Sequence, residues 1–461
     1  RQIRARFRPA AVTSFITKVI PHQSRSAGNS METYVCKAPS GPLDASLSLP
    51  GSKSLTNRAL IIAALADGES VLSNALFAED TEIMLHALEQ LGVPIEASPA
   101  SCRLTIRGGD GAFPESEGNL FCGNSGTSIR FLAAMLATGV GRFELDGKPR
   151  MRERPIGDLM DVLASLGSRV EYGEATGFPP VVLHANRIAG GHVGFRNPPS
   201  SQMVSALLMA SPLADSDMMI QVVGKLISRP YIDMTISVME QFGVTGLAQY
   251  GDDARFIIPP QRYVGTSFNV EPDASNATYF LAAAAIAGGR VTVPGLTRAS
   301  MQGDVRFADV LGSMGCRVQF DDDGVTVERD QAAPLCAVDI DLTDMPDTAQ
   351  TLAVVSLFAV GETVMRGLSS LRVKETDRLQ ALENELSKLG ASVSTDDESI
   401  RITPPDHWQS AVIETYDDHR MAMSFALAGL RGNDVTILDP GCCSKTFPTF
   451  FDVFEKMLQT A

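Results

Sequence analysis

Two kinds of helix alternate along the chain, and they differ in where their apolar residues fall. Helices of the first kind are amphipathic, end in glycine and precede a β-like run, as in LHALEQLGVPIE and FADVLGSMGCRVQF. Glycine after the last helical turn readily adopts the left-handed conformation that ends a helix. A sixth helix, FPTFFDVFEKML, closes the chain where the next copy is due. Five glycines mark the repeat at nearly equal intervals: Gly92, Gly167, Gly243, Gly315 and Gly390.

Helices of the second kind are apolar on every face and rich in small residues. TNRALIIAALADGE, NATYFLAAAAIAGG and HRMAMSFALAGL are three of the six such segments. A helix without a polar face is buried on all sides. Most of these segments end in glycine and lead into a β-like run such as RVTVPG. The pattern therefore predicts six buried helices that alternate with six amphipathic ones.

These patterns divide the chain into six units of about 73 residues, each with two helices and several strands. Six units with wholly buried helices favour two compact three-unit domains of the α/β class over an open solenoid. A change of pattern at residues 268–276, after the third unit, predicts a hinge there. Residues 31–51 precede the first helix and could pair with either domain.

Composition and charge limit the possible functions. A chain of 461 residues is too long for one ordinary core and suits two domains. Its net charge of −15 argues against non-specific binding to nucleic acid or to a membrane surface. No apolar run reaches the ~18 residues that a membrane span needs. The seven cysteines form no CxxC pair and the six histidines no HExxH pattern, so we predict reduced thiols and no metal site.

Residues 1–30 differ from the rest in holding six basic residues and no acidic one. We interpret them as an extension that is disordered or not native, and we leave them out of the fold. The alternative is an organelle-targeting peptide, which is typically basic and poor in acidic residues. We therefore expect a cytoplasmic protein, or a plastid one only if this segment is a targeting peptide.

Polar and basic residues cluster where the buried helices begin. GSKSLTNR opens the first, GNSGTSIR the second, PSSQ the third and YDDHR the sixth. A helix N-terminus presents free N–H groups and a partial positive charge, and it attracts anions. The segment GKPRMRERPIG adds four more basic residues. Several such starts together predict a cleft between two domains that binds a substrate with phosphate and carboxylate groups.

Eight motifs resemble the 5-enolpyruvylshikimate-3-phosphate synthase family, in order and with similar spacing, from about residue 40 to the C-terminus. They are LPGSKSLTNRALIIAALA, GNSGTSIRFLAA, PRMRERPIGDL, SSQMVSALLM, SRPYID, RVKETDR, YDDHRMAM and SKTFP. The resemblance implies two domains, each of three βαβαββ units with buried parallel helices, which is an inside-out α/β barrel architecture. The first domain would comprise residues 52–271, and the second residues 31–51 with 272–461.

The resemblance also implies 3-phosphoshikimate 1-carboxyvinyltransferase activity. Enzymes of this family transfer the enolpyruvyl group of phosphoenolpyruvate to the 5-hydroxyl of shikimate 3-phosphate and release phosphate. The product leads through the shikimate pathway to chorismate and the aromatic amino acids. The family needs no metal or organic cofactor, and its partners are these two small molecules.

Matching the motifs position by position implies a set of residues for each substrate. The set for shikimate 3-phosphate is Lys53, Ser54, Arg58, Ser200, Ser201, Gln202, Ser228, Tyr231, Asp347 and Lys374. The set for phosphoenolpyruvate is Lys53, Asn124, Gly126, Arg154, Gln202, Arg378, Arg420 and Lys445. Within RVKETDR, Arg372 and Asp377 would hold the loop in shape.

The implied chemistry needs a base and an acid. Asp347 is the candidate base for the 5-hydroxyl, although an aspartate there could also be a plain helix cap. Glu375 or Lys53 would protonate the methylene carbon of phosphoenolpyruvate. The 5-oxygen then attacks the cation-like centre, and the tetrahedral adduct loses phosphate and a methyl proton.

Two alternatives and two departures accompany this interpretation. The first alternative is a UDP-N-acetylglucosamine enolpyruvyl transferase. That family has a cysteine in a mobile loop, and the matching loop here, GKPRMRERP, has none. The second alternative is a catalytically dead scaffold that binds an anion. Ser370 stands where family members often have Asn, and Phe131 where many members sensitive to glyphosate have Pro. That herbicide binds the family's phosphoenolpyruvate site, and the retained Gly126 predicts inhibition. We expect a monomer.

Overall fold

The computed structural model describes residues 33–250 and 254–461, so the interpretation of residues 1–30 lies outside the described residues. Within the described ranges, no helix is long and apolar enough to cross a membrane.

Twelve α-helices occur among the described residues. They are α1 (Lys53–Leu65), α2 (Glu79–Gln90), α3 (Gly126–Ala137), α4 (Gly157–Ser165), α5 (Ser201–Ala210), α6 (Arg229–Gln241), α7 (Ala274–Ala287), α8 (Phe307–Ser313), α9 (Ala349–Ser356), α10 (Arg378–Lys388), α11 (His419–Phe425) and α12 (Phe450–Leu458). Short 3-10 turns that bear on the site are Pro149–Glu153, Gly303–Arg306, Pro346–Thr348, Ser369–Val373 and Pro440–Lys445.

The strands of the described residues are short. They are β1 (Thr33–Val35), β2 (Leu43–Ser46), β3 (Asp67–Ser73), β4 (Ile95–Ser98), β5 (Arg103–Gly109), β6 (Glu117–Phe121), β7 (Val140–Asp146), β8 (Arg169–Tyr172), β9 (Val181–Asn186), β10 (Gly191–Arg196), β11 (Met218–Val223), β12 (Ala248–Tyr250), β13 (Arg255–Ile258), β14 (Ser267–Asn269), β15 (Gly289–Pro294), β16 (Arg317–Phe320), β17 (Gly324–Arg329), β18 (Leu335–Cys336), β19 (Asp339–Asp341), β20 (Ala359–Val360), β21 (Thr363–Arg366), β22 (Ser392–Thr395), β23 (Ile400–Thr403), β24 (Ala411–Ile413) and β25 (Val435–Leu438).

The sheets repeat one pattern six times. Each begins with a parallel pair: β14–β3, β6–β7, β10–β11, β2–β15, β19–β21 and β24–β25. In five of them an antiparallel hairpin such as β8–β9 follows, and the sixth adds β1 instead. A buried helix connects four of the parallel pairs directly, because parallel strands need a crossover. All five repeat glycines have a positive φ, between 80° and 121°. The predicted α/β fold of six repeated units is confirmed.

Two separate hydrophobic cores hold the buried helices. One draws its residues from Leu55 to Val270 and includes α1, α3 and α5. The other draws on residues 36–49 and 274–458 and includes α7, α9 and α11. We call residues 52–271 the N-terminal half and residues 33–51 with 272–461 the C-terminal half. Every residue of α3 and of α7 is buried, which agrees with the absence of a polar face in their sequences.

The chain passes between the halves at two neighbouring segments. Ser52 N donates to Glu271 O at 2.8 Å, and Asp273 N donates to Pro50 O at 2.9 Å. Lys53 N, the first residue of α1, donates to Asp273 Oδ2 at 3.0 Å. The crossing therefore lies directly beside the start of the first buried helix. Its action as a hinge stays a prediction.

Candidate active site

Two adjoining cavities lie where the halves meet, and they share Lys53, Thr127, Gln202, Asp347 and Lys374. The first is lined by Lys53, Ser54, Arg58, Thr127, Ser200, Ser201, Gln202, Ile227, Ser228, Tyr231, Asp347, Ser370 and Lys374. The second is lined by Lys53, Asp80, Gly126, Thr127, Arg154, Gln202, Asp347, Lys374, Glu375, Arg378, His419 and Arg420.

The N-terminal half reaches these cavities with the first residues of its buried helices. Each of these helices is capped by a serine hydroxyl, which accepts from a backbone N–H of the first turn. Ser52 caps α1, Ser125 caps α3 and Ser200 caps α5. A neutral cap satisfies one N–H group but leaves the partial positive charge of the helix end uncancelled. Three such ends therefore face the same space.

Arg154 and Gly126 form the N-terminal wall of the second cavity. Arg154 Nη1 donates to the carbonyl of Asn124 at 2.8 Å and to its side-chain Oδ1 at 3.1 Å. Arg130 Nη1 donates to Gly126 O at 3.0 Å and to Gln202 Oε1 at 2.8 Å. Two guanidinium groups thus pack against the start of α3, and the absence of a side chain at Gly126 makes the room for them.

The C-terminal half contributes a buried network of arginines and carboxylates. Arg378 donates to Asp418 at 2.7 and 3.2 Å, to Glu375 Oε2 at 3.0 Å and to Asp347 Oδ1 at 3.0 Å. Arg420 Nη2 lies 3.3 Å from Asp347 Oδ2. Arg378 and Asp418 are 1% and 0% exposed, so pairing rather than solvation stabilises the charges of this network.

Two of the three carboxylates that line the cavities, Asp347 and Glu375, are ionised because of the cations around them. Burial alone would raise the pKa of Asp347, but Lys374, Arg420 and Arg378 outweigh it and hold that pKa far below its usual range. Burial likewise acts to raise the pKa of Glu375. The positive charges of Arg378, Arg154 and Lys445 reverse the effect and hold that pKa well below the usual value.

A second ion-pair cluster joins the halves. Lys445 Nζ, near the C-terminus, lies 2.7 Å from Asp80 Oδ1 and 3.0 Å from the carbonyl of Asn124, which both belong to the N-terminal half. Lys53 Nζ lies 3.3 Å from Asp80 Oδ2. Although burial acts to raise it, the charges of Lys445 and Lys53 hold the pKa of Asp80 below its usual range. Asp80 thereby holds two cations beside the second cavity.

Other contacts across the halves surround the first cavity. Ser228 N donates to Thr343 O at 2.9 Å. The hydroxyl of Tyr231 donates to Asp304 Oδ2 at 3.1 Å, and the hydroxyl of Ser275 donates to the same oxygen. The first cavity is therefore built by both halves, like the second.

The structure brings the residues named from the sequence together. All ten residues assigned to shikimate 3-phosphate line the first cavity. Six of the eight assigned to phosphoenolpyruvate line the second, and Asn124 and Lys445 stand behind its wall, bonded to each other and to Arg154 or Asp80. Arg372 Nη1 donates to Asp377 at 2.9 Å, as expected for a contact that shapes the loop. The roles of these residues stay predictions.

Sequence reasoning missed four residues that line the cavities, which are Asp80, Thr127, Ile227 and His419. Asp80 resembles an ordinary acidic residue of a first helical turn, and no local signal in the sequence separates it from Glu79 and Glu82. His419 stands inside the motif YDDHR, but only its neighbour Arg420 was considered. Burial and Arg420 lower the pKa of His419 well below its usual value, so its imidazole is neutral. Neither ring nitrogen has a hydrogen-bond partner among the described residues, although Nδ1 lies 3.7 Å from Asp418 Oδ1.

The two departures from the family pattern are both buried. Ser370 lines the first cavity, and its hydroxyl has no partner among the described residues. Phe131 of α3 lies in the hydrophobic core of the N-terminal half, with the guanidinium of Arg58 5.2 Å from its ring centre. Arg58 also donates to Thr235, to Ser54 O and to Tyr231 O.

The described ranges contain neither a disulfide bond nor a group of side chains suited to a metal ion. No group of three or more His, Cys, Asp or Glu side chains there could hold a metal ion. All seven cysteines are free thiols.

Comparison with known proteins identifies the family. The chain matches the family model of EPSP synthase (3-phosphoshikimate 1-carboxyvinyltransferase) over residues 37–454. A protein of Shewanella denitrificans named 3-phosphoshikimate 1-carboxyvinyltransferase is 48% identical, over 91% of this chain and 97% of its own length. One of the same name from Nostoc punctiforme is 45% identical, over 93% of this chain and all of its own length.

Solved structures share the fold. EPSP synthase from Acinetobacter baumannii superposes with a TM-score of 0.76 at 24% identity, over 92% of this chain and 98% of that one. An enolpyruvyl transferase from Streptomyces tendae gives a TM-score of 0.71 at 18% identity, over 93% and 98%. The family model, the curated relatives and the fold agree over most of the chain, which therefore belongs to the EPSP synthase family.

Proposed function

We propose that this protein transfers the enolpyruvyl group of phosphoenolpyruvate to the 5-hydroxyl of shikimate 3-phosphate and releases phosphate. One observation carries the proposal: hydroxyls and cations from both halves surround the ionised carboxylates of Asp347 and Glu375. The curated relatives bear the name of this activity. The reaction serves the shikimate pathway to chorismate and the aromatic amino acids.

Shikimate 3-phosphate binds in the first cavity. The phosphate is held by the hydroxyls of Ser200, Ser201 and Ser228 and by the ammonium of Lys374, which all line that cavity. The uncancelled N-terminus of α5 adds favourable potential for the phosphate. Asp347 lies on the same lining, where it faces the acceptor hydroxyl.

Phosphoenolpyruvate binds in the second cavity. Arg378 and Arg420 hold its carboxylate, because guanidinium groups bind carboxylates bidentately. Arg154 and Lys445 hold its phosphate. In the structure, Asp347 forms ion pairs with Arg378 and Arg420, and Asp80 forms one with Lys445. An anionic substrate therefore competes with protein carboxylates for these three cations.

That competition adjusts the acid–base groups at the moment of binding. The charges that depress the pKa values of Asp347 and Glu375 differ. For Asp347 they come from Lys374, Arg420 and Arg378. For Glu375 they come from Arg378, Arg154 and Lys445. When the substrate anions neutralise these charges, both pKa values rise toward the range in which a carboxyl group exchanges protons efficiently. Asp347 then accepts the proton of the 5-hydroxyl, and Glu375 or Lys53 protonates the methylene carbon.

The bond changes balance without a cofactor. Protonation of the methylene carbon leaves a cation-like centre, and the 5-oxygen attacks it to give a tetrahedral adduct. Loss of phosphate and of a methyl proton restores the double bond. The two halves act as two domains, residues 52–271 and residues 31–51 with 272–461, and their separate cores support this division. A monomeric state and a cytoplasmic location stay predictions.

Phosphate release with both substrates tests the proposal. The purified protein should release one phosphate per enolpyruvyl ether formed, with the ether identified by mass spectrometry, and neither substrate alone should release phosphate. A parallel arm replaces shikimate 3-phosphate with UDP-N-acetylglucosamine. Turnover in that arm alone would assign the alternative transferase activity, and no turnover in either arm would support the catalytically dead scaffold.

A further inference from the structure

One arginine outside both cavities bridges the two halves at the edge of the site. Arg150 belongs to the 3-10 turn Pro149–Glu153 of the N-terminal half. Its Nε donates to the carbonyl of Lys374 at 3.2 Å, and its Nη2 donates to the carbonyl of Arg372 at 3.3 Å. Both acceptors belong to the C-terminal half. A single guanidinium group therefore holds two backbone carbonyls of the opposite half.

The side chain of Arg150, which donates these hydrogen bonds, is itself held in place. Arg150 Nη1 lies 2.7 Å from Glu153 Oε2, an ion pair within the same turn. Met151, between them, is fully buried. Arg154, which lines the second cavity, directly follows this turn. Arg150 is thus mounted on the same short segment as a predicted ligand of phosphoenolpyruvate.

The segment that accepts these hydrogen bonds, residues 372–375, carries predicted catalytic groups but has little regular structure. The carbonyls of Arg372 and Lys374 flank Val373, where the 3-10 turn Ser369–Val373 ends. Helix α10 begins only at Arg378, so Lys374 and Glu375 lie on an irregular link. Irregular segments need contacts from outside to fix their conformation. Arg150 supplies two such contacts, one of them directly to the residue before Glu375.

We propose that Arg150 is a positioning residue that fixes Lys374 and Glu375 in the catalytic geometry when the two halves meet. The inference rests on the proposed function, because it concerns the placement of that site's groups. Arg150 lines neither cavity, so it acts through the loop that it holds and not through the substrate. Its bonds exist only while the halves are in contact, which makes catalytic geometry depend on closure.

The chain offers a matched control two residues away. Arg152 lies on the same turn and carries the same charge, but it donates to Asp146 and Glu174, which both belong to the N-terminal half. Replacing either arginine with methionine removes one positive charge near the anion site. Only the change at Arg150 removes bonds across the halves.

The test compares Arg150→Met with Arg152→Met in the full-length chain, with shikimate 3-phosphate and phosphoenolpyruvate as substrates. We expect Arg150→Met to lower kcat between about 10- and 100-fold, since a displacement of about 1 Å in catalytic groups can cost on the order of 100-fold. The kcat of Arg152→Met should stay within about twofold of the parental value, because this change displaces no catalytic group. Arg150→Lys should recover part of the lost kcat, because a lysine ammonium can bond to one of the two carbonyls but not to both at once.

A second readout separates positioning from general stability. Amide hydrogen exchange of residues 369–377, followed by mass spectrometry with and without shikimate 3-phosphate, should be faster in Arg150→Met and unchanged in Arg152→Met. The midpoint of thermal unfolding should be the same in both. Equal kcat in the two variants would overturn the inference, and so would a loss of kcat that comes with unchanged exchange of this loop. An inactive parent protein would instead refute the proposed function, while the exchange comparison would still decide whether Arg150 holds the loop.

Discussion

The two halves repeat one architecture but finish their buried helices with different chemistry. In the N-terminal half, serine hydroxyls cap α1, α3 and α5. In the C-terminal half, the carboxylates of Asp273 and Asp418 cap α7 and α11, and α9 follows the turn that contains Asp347. The same position in the repeat is thus neutral on one side of the site and acidic on the other.

This difference divides the work between the halves. Serine caps leave the positive potential of three helix ends available to an anionic ligand, whereas aspartate caps cancel it. Arginines of the C-terminal half are already paired with carboxylates, while Arg154 of the N-terminal half bonds to the neutral Asn124. We infer that the helix ends of the N-terminal half serve anion binding, whereas the C-terminal half adds to its own anion-binding cations the carboxylates of Asp347 and Glu375, which move protons.

The largest expected effect is on turnover in the C-terminal half. Asp347→Asn should lower kcat by ~10²–10⁴-fold, the usual contribution of a general acid or base, with little change in the binding of shikimate 3-phosphate. The matched change in the N-terminal half is Ser201→Ala. It should raise the KM for shikimate 3-phosphate by about tenfold or more and leave kcat nearly unchanged, because it removes a hydrogen bond to a charged group.

Steady-state kinetics of both variants, with calorimetric binding of shikimate 3-phosphate, checks this division. A variant Asp347→Asn that keeps near-parental kcat would remove Asp347 as the base. A fall in kcat for Ser201→Ala, with an unchanged KM, would show that the helix ends of the N-terminal half do not act through anion binding.

The next effect is on stability. Arg378→Met leaves the buried carboxylates of Asp418 and Glu375 without their main partner, and breaking a buried pair in this way costs about 3–5 kcal/mol. The matched change Arg154→Met removes a buried arginine whose hydrogen bonds go to the neutral Asn124 and leaves no carboxylate without its main partner, so we expect a smaller cost of about 1.5–3 kcal/mol. Urea unfolding of the two variants measures the difference. Equal costs would mean that the paired network does not distinguish the halves energetically.

A third effect lies at the junction of the halves and depends on pH. Burial, followed by the nearby charge of Asp347, raises the pKa of Asp304 from its ordinary value of 3.8 to about 6. The folded protein therefore keeps this proton up to about pH 6, whereas the unfolded chain releases it near pH 4. Between these values the carboxyl group destabilises the fold increasingly as the pH rises.

Asp304→Asn keeps an acceptor for the hydroxyl of Tyr231 but cannot ionise. Relative to the parent, its free energy of unfolding should increase between about pH 4 and pH 6.5, by up to about 3 kcal/mol, since one pKa unit corresponds to about 1.4 kcal/mol. Denaturation series at several pH values check this. A constant difference between the two proteins over that range would mean that Asp304 does not titrate there.

The sequence predicted the features that depend on neighbouring residues, and it did not predict contacts between residues far apart in the chain. The repeat and the buried helices depend on periodicity within a few turns, and the glycines at their ends confirm it. The serine-rich helix starts were also readable locally. Asp80 was not, because its partner Lys445 lies near the opposite end of the chain and nothing close to Asp80 in sequence indicates the pair. The family motifs supplied Arg378 and Arg420, but no motif indicated how closely their charges are matched by Asp418 and Asp347.

The smallest expected effect concerns Gly126 and sharpens the account of the N-terminal half. A Cβ at this position would lie 2.6 Å from Arg130 Nη1 and closer still to Arg154 Nη2. Both guanidinium groups are buried and hydrogen-bonded, so they cannot simply swing away. Overpacking of this kind costs about 1–3 kcal/mol. The structure thus shows that alanine would act on Arg154 itself and not only on the space beside the ligand.

We therefore predict that Gly126→Ala raises the KM for phosphoenolpyruvate by about tenfold, the effect of roughly 1.4 kcal/mol, and leaves kcat close to the parental value. Glyphosate, which the family resemblance implies as an inhibitor, should compete with phosphoenolpyruvate, and its inhibition constant should rise more than the KM because the inhibitor is the longer molecule. Gly118→Ala is the matched control, since a Cβ there makes only ordinary contacts, at 3.7 Å from Phe143. Steady-state inhibition of the parent and both variants decides the outcome. Equal inhibition constants in the parent and Gly126→Ala would show that the start of α3 does not face the phosphate end of the substrate.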